Sequence, residues 1–145
     1  MSSTPVISVV IPTYNRASDL KRALKSVQVQ TFTNWEVLIV DNHSVDSTDQ
    51  VVSDFNDSRI KLFKIHNNGV IAASRNVGIR EASGQYIAFL DSDDWWKPEK
   101  LRLSLGALNA GADIVYHDLF LATKTAQRLF LKKVTTSGLT RPVFD

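Results

Sequence analysis

The run Tyr86-Ile87-Ala88-Phe89-Leu90, followed at once by Asp91-Ser92-Asp93-Asp94, restricts the folds open to this chain more than any other stretch. A short continuous apolar segment reads as a central strand buried on both faces. Such strands belong to parallel sheets, whose ligands collect outside the carboxyl ends of the strands. Asp91 and Asp93 stand at that end. Carboxylates this close repel one another unless positive charge lies between them, and a divalent cation with oxygen ligands meets that need. Asp, Ser and Asp are also good helix N-caps, so this stretch alone leaves both readings open.

The remaining chain supplies the elements of such a sheet. Val6–Ile11 is a β-branched strand stopped by Pro12. Ser18 is placed to cap a helix whose apolar residues Leu20, Ala23, Leu24 and Val27 recur at helical spacing. Trp35–Val40 is a second strand ending at Asp41, and Ser47 with Gln50 reads as a capping box opening a helix through Phe55. Arg59–Ile65 is a third strand, Asn67-Asn68-Gly69 a turn, and Val70 onward a helix that Gly84 closes as a C′ glycine. Pro98 at a first helical position opens a helix carrying Leu101, Leu105, Leu108 and Ala112, and Asp113–Tyr116 is a fifth strand. Gln127–Val134 reads as a weaker strand. The alternation predicts an α/β fold, a Rossmann-like doubly wound, mostly parallel sheet with helices on both faces.

Composition narrows the function. The 145 residues suit a single domain, and 43% hydrophobic residues suffice for a core. A net charge of +2 favours an anionic ligand but is too weak for nucleic acid. The absence of cysteine removes disulfides, thiolate catalysis and cysteine–zinc sites. It also fits a reducing compartment. No signal peptide or apolar run of membrane-spanning length is seen, and a cytoplasmic location, at the inner face of the membrane, is expected.

Right-handed crossovers place every β-to-α loop on one rim. After Pro12, its polar loop residues are Thr13, Tyr14, Asn15 and Arg16; Asp41 and Asn42; Asn67, Asn68 and Gly69; and Asp91, Ser92 and Asp93, with Pro12 counted among the candidate binding residues. That is the composition of a small-molecule site. No P-loop motif occurs, and no G-x-G-x-x-G follows the first strand. Asp41 is placed to accept from a ribose or base donor, or to cap its own loop. The helix after Gly69 offers a positive N-terminus to an anion. Arg75 within it could reach a diphosphate, hold Asp91 and Asp93, or remain a solvated charge.

Five segments carry a resemblance: Ser8–Arg16, Gln30-Thr31-Phe32, Trp35–Asp41, Ala73–Gly78 and Gly84–Asp94. Together, over roughly Val6 to Tyr116, the chain resembles the family 2 glycosyltransferases of the GT-A fold. Where relatives often carry Asp-Asp-Gly-Ser, this chain has Asp41-Asn42-His43-Ser44. The resemblance implies that Thr13 and Tyr14 line the base pocket and that Asp41 hydrogen-bonds the base. It implies that Asp91-Ser92-Asp93 is the D-x-D motif. Asp93 would then coordinate Mn2+ or Mg2+ at the diphosphate, Asp91 would face the ribose or the metal shell, and Arg75 would add positive charge. The donor implied is a nucleotide-diphosphate sugar, UDP-sugar favoured, and the acceptor a glycan or lipid-linked saccharide.

Inverting members of the family use a carboxylate base downstream of the D-x-D motif. Between Thr123 and Asp145 the only carboxylate is Asp145, and His117 and Asp118 suit ordinary loop roles. The base is therefore expected outside this chain, with an acceptor part incomplete after about residue 120. Two readings follow: an inverting, metal-dependent transferase of polysaccharide biosynthesis, or a donor-binding fragment without transfer activity of its own. An apolar edge exposed by a missing acceptor half would favour homodimerisation or peripheral membrane association. A dehalogenase-like phosphatase fits less well, because its D-x-D follows the first strand, and a nucleotidyltransferase lacks its glycine-rich, lysine-bearing loop here.

Overall fold

The computed structural model describes residues 4–116 and the backbone of two strands at 119–122 and 127–130. Packing divides the chain into Met1–Leu105 and Gly106–Asp145. In the first unit, four strands form one parallel sheet: β1 (Ile7–Thr13), β2 (Trp35–Asp41), β3 (Ile60–Lys64) and β4 (Tyr86–Phe89), in the order β3-β2-β1-β4. Helices α1 (Ala17–Gln28), α2 (Thr48–Asp54) and α3 (Ile71–Glu81) alternate with them. Helix α4 (Lys100–Asn109) follows β4. In the second unit β5 (Leu119–Ala122) and β6 (Gln127–Phe130) pair antiparallel.

Period-2 alternation sorts β1 and β2 onto two faces. Ile7, Val9 and Ile11 with Trp35, Val37 and Ile39 join Leu20, Ala23, Leu24 and Val27 of α1 in one buried cluster, which Leu90, Trp96 and Leu101 complete. The opposite face of β1 and β2 carries α3. There Gly78 lets the backbones approach, since a Cβ at that position would lie 2.3 Å from Val10 Cγ1. Burying a Val, Leu or Ile side chain contributes about 1.5–3 kcal/mol, so these two layers are the main source of stability.

Several sequence expectations are corrected. Among the described residues the strand at Tyr86–Leu90 is not doubly flanked or doubly buried: β4 borders only β1, Ile87 and Phe89 are exposed, and Leu90 lies beyond the strand. Within the run, Tyr86 and Ala88 are partly buried against the core and Ile87 and Phe89 lie on the other face. β1 does not stop at Pro12 but runs through Thr13, with Pro12 opposite Val40. Val10 accepts a hydrogen bond from the Leu90 N–H on the β4 side. Pro12, two residues on, turns its nitrogen to that same side, past the last β1–β4 pair at Val10 and Phe89. No ladder bond is lost there, so proline is tolerated.

Helix ends also differ. α1 starts after Arg16, with Ser18 inside it, because Asp46 from the β2–α2 loop accepts the Ala17 N–H at 2.8 Å. Ser47 precedes α2 without a side-chain cap bond. Asp46 takes the Thr48 N–H and hydroxyl, while Gln50 bonds Ser53 and Asp54. Gly84 is not a C′ glycine, since α3 ends at Glu81; a Cβ on it would lie 2.6 Å from the Ser8 amide nitrogen. α4 begins at Lys100, two residues after Pro98. β3 spans 60–64 rather than 59–65, and Asp113–Tyr116 has no strand pairing. Of the expected strand at 127–134, residues 127–130 form β6. Residues 131–134, His117, Asp118 and Asp145 lie outside the described residues.

Candidate active site at the switch point

Strand order reverses between β1 and β4: the chain winds from β1 outward to β2 and β3, then returns to the other side of β1. A crevice outside the carboxyl ends of two such strands is where open α/β sheets bind ligands. The residues expected to form the site come from these ends. Thr13 closes β1 and Tyr14, Asn15 and Arg16 follow it; Asp91, Ser92 and Asp93 follow β4. The two loops meet, with Arg16 Nη1 at 3.3 Å from Asp93 Oδ2. Arg22 of α1 donates to the Asp93 carbonyl at 2.8 Å and lies 4.3 Å over the Trp95 ring.

Arg75 reaches the same loop from α3. Its Nη2 donates to Asp91 Oδ1 at 2.7 Å, and its guanidinium lies 5.7 Å from the centre of the Phe89 ring. Arg75 Nε and Thr13 Oγ1 are buried polar atoms without a hydrogen-bond partner among the described residues. The third such atom, Trp35 Nε1, is at the opposite end of the sheet, where Arg59 stacks on the Trp35 ring at 3.6 Å. Two of three orphaned polar groups thus lie at the switch point, where a polar ligand would satisfy them.

The middle of the rim is built by the β2–α2 and β3–α3 loops. Asp41 is fully buried, and both carboxylate oxygens accept the Ser44 N–H while Oδ1 also takes the Ser44 hydroxyl. Lys64 Nζ stands 3.9 Å from Oδ2. Asp41 therefore caps its own loop in this conformation. Asn15, at φ 50°, donates its N–H to Ser44 Oγ and accepts the Val45 N–H, fastening the first loop to the second. Gly69 adopts φ 77° and donates to Asn67 Oδ1, making the turn that launches α3. Tyr14 is 55% exposed and Ser92 is buried.

No group of three or more His, Cys, Asp and Glu side chains converges as a metal cage among the described residues. Asp91 and Asp93 instead offer two half-exposed carboxylates, each paired with an arginine. That donor set fits a hard cation held through one or two carboxylates, with phosphate oxygens and water completing its shell.

Sequence reasoning gives no role to the residues just after α1 that hold the segment following this loop. Gln30 donates to the Ser26 and Lys97 carbonyls and accepts the Leu101 N–H, while the Thr31 N–H donates to the Pro98 carbonyl at 2.9 Å. Gln30 is buried. The segment Gln30-Thr31-Phe32 carries part of the resemblance, but two partners of Gln30, Lys97 and Leu101, lie about seventy residues away, so its role is not legible locally. Arg16 stands among the rim residues and Arg22 is unmarked, because nothing local announces a pairing across the rim.

The comparisons with known proteins agree with this geometry. Residues 8–133 match the family model for glycosyl transferase family 2. Over 103 residues the chain is 40% identical to UDP-Glc:alpha-D-GlcNAc-diphosphoundecaprenol beta-1,3-glucosyltransferase WfgD of Escherichia coli, covering 71% of this chain and 41% of that protein. It is 38% identical to the putative teichuronic acid biosynthesis glycosyltransferase TuaG of Bacillus subtilis, with 70% and 41% covered. The chain thus spans about two fifths of the length of these relatives. Among solved structures, S. aureus TarS 1-349 in complex with UDP superposes with a TM-score of 0.68 at 32% identity, covering 72% of this chain and 32% of that one. The GT-A fold is shared with these structures, and the chain belongs to glycosyl transferase family 2.

Proposed function

We propose that this chain binds a nucleotide-diphosphate sugar, with a UDP-sugar favoured, at the crevice between the carboxyl ends of β1 and β4. The observation that carries the reading is the meeting of three arginines with the Asp91–Asp93 loop: Arg75 on Asp91, Arg16 on Asp93 and Arg22 on the Asp93 carbonyl. Positive charge beside carboxylates at a switch point suits a diphosphate that arrives with a divalent cation. The UDP complex of TarS and the UDP-glucose named for WfgD support uridine as the nucleoside.

Asp93 and Asp91 would hold Mn2+ or Mg2+ together with the donor. When bound, such an ion supplies Lewis-acid stabilisation of the charge that builds on a departing diphosphate. Arg75 orients the diphosphate and shares that charge. Thr13 and Tyr14 line the nucleoside side, and Asp41 keeps the Ser44 loop in place beside them. Transfer would proceed with inversion to a glycan or lipid-linked acceptor, as the diphosphoundecaprenol acceptor named for WfgD suggests. The base that deprotonates the acceptor is assigned to no described residue.

Calorimetric titration of UDP into the chain, with Mn2+ and then with EDTA, tests the reading. Binding that requires the metal and disappears in Asp93→Ala is expected. Equal binding by Asp93→Ala in Mn2+ would remove the metal role from the Asp91–Asp93 loop.

A further inference from the structure

His43 and His66 stack on one another with ring centroids 3.9 Å apart and planes 16° from parallel. Both are exposed, and they belong to different loops, β2–α2 and β3–α3. His43 holds φ 54°, in the left-handed region that a residue with a Cβ avoids. Glycine takes that conformation freely, so His43 holds it at a cost. Its neighbour Asn42 ties the same two loops: its Oδ1 accepts the Asn67 N–H at 2.9 Å. His43 and Asn42 thus both join the loop that carries Asp41 to the loop that launches α3.

The loop so held also reaches the first one. Asn42 donates to the Thr13 carbonyl, and Ser44 Oγ accepts the Asn15 N–H. A displacement of His43 therefore passes directly to Thr13 and Asn15, on the nucleoside side of the site. The diphosphate side depends on different contacts, Arg75 with Asp91 and Arg16 with Asp93, and neither involves this loop.

We propose that the stacked His43–His66 pair is a latch that fixes the Asp41–Ser44 loop in its nucleoside-binding form. His43 and His66 are positioning residues for the nucleoside half of the donor and have no part in holding the diphosphate. The inference rests on the donor-site reading above, and the experiment separates their failures. UDP and inorganic pyrophosphate are titrated in Mn2+ against the wild-type chain, His66→Ala and His66→Phe, with thermal melts of all three.

An aromatic pair contributes enough that His66→Ala should lose about 3- to 10-fold in UDP affinity. Pyrophosphate affinity should stay unchanged, and His66→Phe, which keeps a ring to stack on, should recover most of the UDP loss. The melting temperature should fall by no more than about 3–6 °C, the shift that the lost contact alone accounts for. An unchanged UDP affinity in His66→Ala would overturn the latch while leaving the donor site intact. So would a parallel loss of UDP and pyrophosphate, or a failure of His66→Phe to restore binding. No binding of UDP by the wild-type chain would defeat the donor-site reading and the latch with it.

Discussion

Arg75→Ala separates a residue that holds the fold from one that holds the ligand. The Arg75–Asp91 pair is short, at 2.7 Å, yet its side chains are 39% and 48% exposed. Ion pairs this open to water contribute about 0–1 kcal/mol to stability. A loss of that size moves the melting temperature of a chain of this length by no more than about 4–5 °C. Ligand binding should respond far more. One charge-assisted hydrogen bond to a phosphate oxygen is worth about 1.5–3 kcal/mol, or roughly 10- to 150-fold in the dissociation constant. The assay is titration of UDP in Mn2+, paired with a melt of each protein. If Arg75 serves only to neutralise Asp91, its removal frees that carboxylate for the cation. Affinity would then hold or rise, and that result would refute the direct role argued for Arg75. A large fall in melting temperature with unchanged affinity would show a structural residue.

Three further outcomes follow from packing and charge. Gly78→Ala sets the helix-propensity gain of about 1 kcal/mol against a Cβ placed 2.3 Å from Val10 Cγ1; overpacking costs about 1–3 kcal/mol, so urea denaturation should show net destabilisation, and a more stable variant would disprove the contact. Asp46→Ala removes the acceptor for both the Ala17 and Thr48 N–H groups and should cost about 1–2 kcal/mol, measured the same way; a loss below ~0.3 kcal/mol would mean that water replaces the cap. Burial alone would raise the pKa of Glu36, but hydrogen bonds from Lys61, Ser8 and the Ser83 N–H outweigh it and hold the carboxyl below its ordinary value. Its stabilisation is then fully present above the ordinary glutamate range and lost as pH falls through the lowered value, so the stability gap between wild type and Glu36→Gln should narrow on acidification, and a constant gap would contradict the assignment.

The parts of this molecule legible in the sequence are those set by short-range pattern. Val9 and Ile11 alternate with Ser8 and Val10, and Leu20, Leu24 and Val27 recur at helical spacing, so strand, helix and buried face all follow from a window of about ten residues. The carboxyl-end position of Thr13, Asp41 and Asp91 follows from the same windows plus the handedness of crossovers. The errors arose where the deciding partner is distant in sequence. The start of α1 is set by Asp46, twenty-nine residues away, and the tightness at Gly84 by Ser8, seventy-six residues away. The continuous apolar run at Tyr86–Leu90 misleads for a related reason: it records which residues are apolar, and Ile87 and Phe89 are apolar yet stay exposed in part.

Asp41 shows why position alone does not assign a role. The end of a central parallel strand is a privileged place for a ligand-binding carboxylate, and the same place leaves loop N–H groups in need of an acceptor. Ser44 supplies two donors to Asp41, and burial makes those bonds costly to break without replacement. A nucleobase that bonded Asp41 directly would have to compete with Ser44, whereas one that bonded the rim held by Asp41 would leave the cap intact. The second course costs less. On the donor-site reading proposed above, that course would place the specificity of the site in the loop connections Asn42–Asn67 and His43–His66, rather than in the one carboxylate that sequence position singles out.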